Sequence, residues 1–297
     1  MRISPEVEAA IAAGRAVALE STIFSRLGLP DPAGREALER CTTAIRAHGA
    51  VPALTAVIDG EPCLGIDPAD HDRIHAASAK VAARDLPIAI AQGWPVGVTT
   101  VSASLQLAAR AGIRVFATGG IGGVHRDADR TGDVSADLLA IRTFEVVTVC
   151  AGAKAFLDIP RTLELLETWS VPVVVLGDDT FPAFTTRSSG CPAPRRVSSA
   201  GEIAAIARAA RSIDYRGGIL AAVPIATADE VPRAELEAAI EQATAEAEAA
   251  GVTGPAVTPF VLERIAAATG GRSVPANLAL AEQNAAVAAQ VAVALGA

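Results

Sequence analysis

Lysine is almost missing from this chain of 297 residues. Of its 25 lysines and arginines only two, Lys80 and Lys154, are lysines, which leaves 23 arginines. Where arginine serves nearly every cationic purpose, a surviving lysine points to a task that arginine cannot perform. A neutral amine attacks a carbonyl or a sugar C1 and forms an imine; a guanidinium stays charged and does not. Lys154 ends the run Val146-Val-Thr-Val-Cys-Ala-Gly-Ala-Lys154, an apolar setting that favours an uncharged amine. Lys80, in a mixed stretch beside Ala79 and Val81, reads equally well as a chance survivor.

Other absences narrow the class. The four cysteines, Cys41, Cys63, Cys150 and Cys191, show no CxxC or Cys/His metal spacing and read as reduced thiols of a cytoplasmic protein. Net charge is −8, and no Lys/Arg cluster is long enough to track a phosphate backbone, which argues against a nucleic-acid polymer as partner. A small anionic substrate stays compatible with local Arg, Lys and backbone N–H groups. No signal-type apolar core follows Met1, and no uninterrupted apolar stretch reaches membrane-spanning length, so no membrane is expected. No Ser/Gly/Pro linker, charge block or internal repeat divides the chain, which reads as one domain over 1–297.

What is present is alternation. Apolar, β-branched runs predict strands near Ala16–Glu20, Leu54–Asp59, Ile113–Thr118, Val146–Cys150, Val171–Leu176 and Gly218–Val223. Helices are predicted near Gly34–His48, Thr99–Ala111, Pro160–Trp169 and Gly201–Ile213, then Glu235–Ala250, Pro259–Thr269 and Ala276–Leu295. Strands apolar throughout suit a sheet covered on both faces, and the alternation predicts a three-layer α/β/α sandwich with C-terminal helices on the sheet. Asp59-Gly60 reads as a hairpin turn into Cys63–Ile66, so the sheet is expected to be mixed, mostly parallel. The alanine-rich helices hint at close helix contacts and a subunit interface.

Several segments carry chemistry. Gly119-Gly-Ile-Gly-Gly-Val-His125 follows a strand; it lacks the third glycine of a dinucleotide fingerprint and the Gly-Lys-Ser/Thr of a nucleotide triphosphate loop. It reads as a tight connection or, given its place after a strand C-terminus, a ligand loop turning N–H groups toward an anion. Asp127-x-Asp129-x-Thr131-Gly132-Asp133-x-Ser135-x-Asp137 is rich in oxygen ligands, yet Leu138 stands where a calcium loop needs its bidentate carboxylate. It reads either as a site for one hard divalent ion or as a solvated turn. Glu20 closes a strand and is either a general acid with raised pKa or a cap of the next turn. His48, His71 and His75 are expected at the surface. Asn277 and Asn284 share a helix face, turned toward a pocket or an interhelical hydrogen bond.

Together these segments resemble the pseudouridine-5′-phosphate glycosidase family, whose fold is shared with the indigoidine synthase A-like proteins. The matching stretches are Ala18-Leu-Glu-Ser-Thr-Ile, Val51-Pro-Ala-Leu-Thr-Ala-Val-Ile-Asp-Gly, Lys80 through Arg84-Asp-Leu-Pro, and Thr99-Thr-Val. Gly112 through Arg126, Asp133-Val-Ser-Ala-Asp, Cys150-Ala-Gly-Ala-Lys and Thr258-Pro-Phe continue the match over almost the whole chain. The resemblance implies cleavage of the C–C glycosidic bond of pseudouridine 5′-phosphate to uracil and ribose 5-phosphate, with a divalent cation, typically manganese. It implies Lys154 as the nucleophile at C1′, Glu20 as proton donor and Asp133 as metal ligand. Ser135, Ala136 and Asp137 would line the substrate site with Lys80 and Val101; Thr118, His125 and Asn277 fall on further pocket positions. A homotrimer is also implied. Two departures, Val223 for the usual Asn and Gly132 for an aromatic residue, bear on pocket detail.

A C–C glycosidic bond offers no leaving-group oxygen or nitrogen to protonate, which makes a plain carboxylate pair unsuited to it. An iminium at C1′ supplies the electron sink instead. The competing readings are an imine-forming aldolase or lyase on another sugar phosphate, and a non-catalytic phosphosugar-binding protein.

Overall fold

The computed structural model describes residues 1–252 and 257–296; part of the one-domain span read from sequence therefore lies outside the described residues. In chain order the strands are β1 Arg2–Ile3, β2 Ala16–Leu19, β3 Val51–Ile58, β4 Glu61–Leu64, β5 Lys80–Val81 and β6 Val96–Thr99. They continue with β7 Val115–Ala117, β8 Val147–Cys150, β9 Val173–Leu176, β10 Arg196–Val197 and β11 Ile219–Ala222. The helices are α1 Pro5–Ala12, α2 Ala33–Ala47, α3 His71–His75, α4 Leu86–Ala91, α5 Val101–Ala111 and α6 Ala128–Thr131. The remainder are α7 Ala136–Thr143, α8 Ile159–Thr168, α9 Ala200–Ser212, α10 Arg233–Ala249, α11 Val257–Ala268 and α12 Ser273–Gly296.

The sheet runs β1-β4-β3-β2-β7-β8-β11-β9-β10. From β3 through β2 to β10 every pairing is parallel. The predicted hairpin joins β3 to β4 antiparallel, with Asp59 (φ 51°) and Gly60 (φ 74°) forming the turn rather than extending the strand. Every residue of β2, β7, β8 and β11 is buried, as a sheet covered on both faces requires. Helix α12 packs with α2 and α9 across β7 and β8, while α5 packs with α7 on β2 and β7, so the mixed, mostly parallel sandwich is as predicted.

One junction within this sheet positions the site. Strand β3 pairs with β2 through Val51–Leu54 and, further along, antiparallel with β6 through Ala56–Ile58. At the handover Thr55 Oγ1 donates to Leu19 O at 2.9 Å and lies 2.8 Å from Thr99 Oγ1. The chain leaves β2 at Glu20, and Ser21 and Thr22 are tied to the end of β6: the Thr99 N–H donates to Ser21 Oγ at 2.9 Å and Thr22 Oγ1 to Thr99 O at 2.7 Å. Buried hydroxyls thus satisfy backbone groups where two strands end against one.

Helix α12 is long and apolar enough by length and composition to cross a membrane, although Asn277, Glu282, Gln283, Asn284 and Gln290 interrupt its apolar run. Its alanines let α2 and α9 approach closely, and its buried face packs on the sheet, as a core helix does. His71 and His75 are half-buried rather than on the surface; His75 Nδ1 lies 2.6 Å from Phe24 O.

Candidate active site

The carboxyl ends of β2, β7 and β8, the start of α5 and one face of α12 enclose a cavity of about 380 Å³. Ligands of parallel α/β sheets bind in this position, beyond the strand C-termini. All of the residues singled out as catalytic, substrate-binding or metal-binding line it: Glu20, Lys80, Val101, Thr118, His125, Asp133, Ser135, Ala136, Asp137, Lys154 and Asn277.

Glu20 is the first residue past β2 and only 8% exposed. The hydroxyl of Thr118, the first residue past β7, donates to its Oε1. Burial pushes the carboxyl up to about 7, against the opposing pull of the Lys154 charge, the Thr118 hydrogen bond and Lys80, with Asp137 adding a further upward push. A carboxyl held near 7 exchanges its proton close to neutrality, the property a general acid needs.

Lys154 lies past the end of β8, after Gly152 and Ala153, and its N–H donates to Ile121 O at 3.1 Å. The apolar run predicted a buried amine, but Lys154 is half-buried, because the chain turns out of the sheet at Gly152 (φ 82°) and lays the side chain along the cavity wall. Lys80, on β5, is half-buried too, and burial followed by the nearby Lys154 charge pulls its amine below the ordinary lysine value.

Asp137 sits in the first turn of α7, capped by Ser135, whose Oγ accepts the Asp137 N–H at 3.2 Å. Its buried carboxylate accepts the Ser102 N–H at 3.1 Å and the Gly122 N–H at 2.9 Å, joining the start of α5 to the glycine loop. The expectation that the loop offers its N–H groups to an anionic ligand is corrected at three positions. Ile121 donates to Gly152 O, Gly122 to Asp137 and Val124 to Thr162 Oγ1, so a resident carboxylate and neighbouring oxygens already use them. The glycine at 122 is needed for space: a Cβ there would stand 2.2 Å from Ser135 Oγ. Gly122→Ala is expected to destabilise the fold by about 1–3 kcal/mol and displace Asp137. Urea unfolding measures this, and an unchanged midpoint would contradict the packing argument.

Asp133 and His125 form the outer wall. The His125 N–H donates to Asp133 O at 3.1 Å, and His125 Nε2 lies 3.8 Å from Asp133 Oδ2. Among the described residues no three His, Cys, Asp or Glu side chains come together as a metal cage. With its side chain 37% exposed at the cavity, Asp133 fits a hard cation that keeps most of its water shell and takes one carboxylate. Of the asparagine pair, Asn277 lines the cavity, whereas Asn284 bonds to the end of β7.

Sequence reasoning missed Ser102, Arg84, Phe156 and Phe184 as cavity residues. Thr99-Thr-Val-Ser before an apolar run is a helix-start signature that points to the Ser102 N–H. Phe184, at φ 61°, has no sequence signal; its N–H donates to Ala151 O at 2.9 Å.

Comparison with known proteins accords with this geometry. The model of the indigoidine synthase A-like protein family matches residues 6–294. The pseudouridine-5′-phosphate glycosidase of Methylobacterium nodulans is 51% identical over 98% of this chain and 87% of its own length. That of Arabidopsis thaliana is 43% identical over 99% of this chain and 90% of its own. Among solved structures, the prealnumycin C-glycosynthase AlnA in complex with ribulose 5-phosphate superposes with a TM-score of 0.91 at 35% identity, covering 99% of this chain and 96% of that one. An indigoidine synthase A-like protein from Thermotoga maritima gives 0.88 at 34% identity, covering 96% and 94%. On fold and sequence, the chain belongs to the indigoidine synthase A-like family.

Proposed function

We propose that this chain cleaves the C–C glycosidic bond of pseudouridine 5′-phosphate, reversibly, giving uracil and ribose 5-phosphate. The observation that carries the reading is a lysine and a buried carboxyl held near 7 in one cavity, two groups of opposed chemistry as this reaction needs. Relatives named for that activity at 43–51% identity support it.

The substrate phosphate would sit beside Lys80 as counter-charge, next to Val101, which lines the cavity, while the Ser102 N–H stays with Asp137. Ser135 and Asp137 would hold the ribose. Asn277 Oδ1 is buried without a partner among the described residues and would accept a uracil N–H. The Lys154 amine attacks C1′, the C1′–O4′ bond breaks and the proton shed by the nitrogen passes to O4′, opening the ring and leaving a neutral secondary amine at C1′. Glu20 gives its proton to the uracil carbon; the C1′–C bond breaks, its electrons returning to the uracil ring while the lysine nitrogen lone pair forms the iminium. Water then hydrolyses the imine, releasing ribose 5-phosphate and the free amine. A divalent cation at Asp133, manganese in this reading, would neutralise substrate charge.

Uracil release from pseudouridine 5′-phosphate, with manganese and with chelator, tests the reading and separates it from an aldolase or lyase acting on another sugar phosphate. Asp133→Ala is expected to lose the metal-stimulated part of turnover; an unchanged metal titration would remove Asp133 from that role. Lys80→Ala is expected to raise KM by about tenfold or more with a smaller change in kcat, as loss of uniform binding does. A kcat-only effect would place Lys80 in the chemistry instead. The one-domain organisation and homotrimer belong to the same proposal, as does a cytoplasmic setting, with which four free cysteines accord. Sedimentation equilibrium tests the trimer.

A further inference from the structure

Asn284 lies on α12 outside the cavity, 1% exposed, with no charged or substrate-facing role. Its Nδ2 donates to Thr118 O at 2.8 Å and to Gly119 O at 3.1 Å. Successive carbonyls of an extended strand point to opposite sides, so two consecutive ones meeting a single amide mark a break in the strand pattern. That break falls where β7 ends and the glycine loop begins. From its other side the same corner is held by the Thr118 N–H on Val149 O at 3.0 Å and the Ala151 N–H on Gly119 O at 2.9 Å. Thr118 is the residue whose hydroxyl grips Glu20. Asn284 Oδ1 has no partner among the described residues, so the side chain is kept in place for its donor.

We infer that Asn284 is a positioning residue for the proton donor, acting through the corner at Thr118–Gly119 to set the Thr118 hydroxyl on Glu20. The inference rests on the proposed reading for its kinetic arm only. Lys154, Lys80 and Asp137 are the charged groups facing Glu20, and none of them contacts Asn284 through a hydrogen bond.

A double-mutant cycle tests this. Thr118→Val and Asn284→Ala are each expected to lower kcat for uracil release about fivefold to tenfold with little change in KM, and the double variant to lose no more than Thr118→Val alone. Independently of any activity, titration of the Glu20 carboxyl by isotope-edited infrared spectroscopy should move upward in both single variants, because the hydrogen bond that favours the ionised form is lost. A stability effect alone would lower the melting temperature and leave this titration in place. Should Asn284→Ala not fold, Asn284→Ser, which keeps a single donor, is expected to give a smaller shift in the same direction. Losses that multiply in the double variant, or a Glu20 titration unmoved in a folded Asn284 variant, overturn the inference. Absence of uracil release from the wild type would instead count against the proposed function and leave the titration arm standing.

Discussion

Lys154→Arg folds as the parent does and loses at least about three orders of magnitude in turnover, as removal of a covalent nucleophile does. Retention of the fold follows from the setting. The Lys154 backbone holds its place by donating to Ile121 O, and the half-buried side chain ends in a cavity where a larger head finds room. Loss of activity follows from chemistry: the guanidinium keeps positive charge beside Glu20 but has no lone pair free to attack C1′. The comparison therefore separates the amine's charge from its nucleophilicity. Steady-state uracil release together with a circular dichroism melt measures both halves. Activity within tenfold of the parent would refute the amine role.

Glu20→Gln is the second large effect. It removes the transferable proton while keeping the shape, and is expected to lower kcat by about 10²–10⁴, the usual range for a general acid. In the parent enzyme the donor must be protonated, so the rate should fall as pH rises through about 7, and that limb should vanish in the variant. Stability carries the opposite sign. A folded-state value of about 7 lies above the ordinary 4.5, so this carboxyl's favourable contribution is complete below 4.5 and is lost as pH rises toward 7. The neutral amide escapes that loss, so Glu20→Gln should be more stable than the parent by on the order of 3 kcal/mol at and above neutral pH, and no more stable near pH 4. A variant that is slower yet more stable at pH 8 is the expected signature. Equal stability at both pH values would contradict the burial argument.

The site was legible because its residues are unusual for their surroundings. Two lysines among 23 arginines, a glutamate ending an apolar strand and four glycines after another all stand out without coordinates. The core strands and most helices were legible from apolar runs and their spacing. Strand β6 was not: it is four residues long with a glycine inside, and the segment around Thr99 read as helix. Gly97 is there because a Cβ would stand 2.4 Å from Val81 Cγ2, a long-range contact that no local pattern reveals. For the same reason the glycine loop was misjudged. Its N–H groups are taken by the Asp137 carboxylate, Gly152 O and Thr162 Oγ1, which lie 15, 31 and 38 residues away (137 − 122, 152 − 121, 162 − 124), and spacing along the chain does not show who fills a donor. The division of labour between Asn277 and Asn284 was hidden likewise, since periodicity places both on one face of α12 but not their partners.

Borohydride reduction during turnover, followed by peptide mass spectrometry, examines the covalent step itself. With ribose 5-phosphate or pseudouridine 5′-phosphate present, a reduced pentose phosphate adduct is expected on the peptide carrying Lys154, and none on the Lys80 peptide or in Lys154→Arg. An active enzyme that yields no adduct at Lys154 under these conditions would contradict the imine and, with it, the account of how the glycosidic bond is broken.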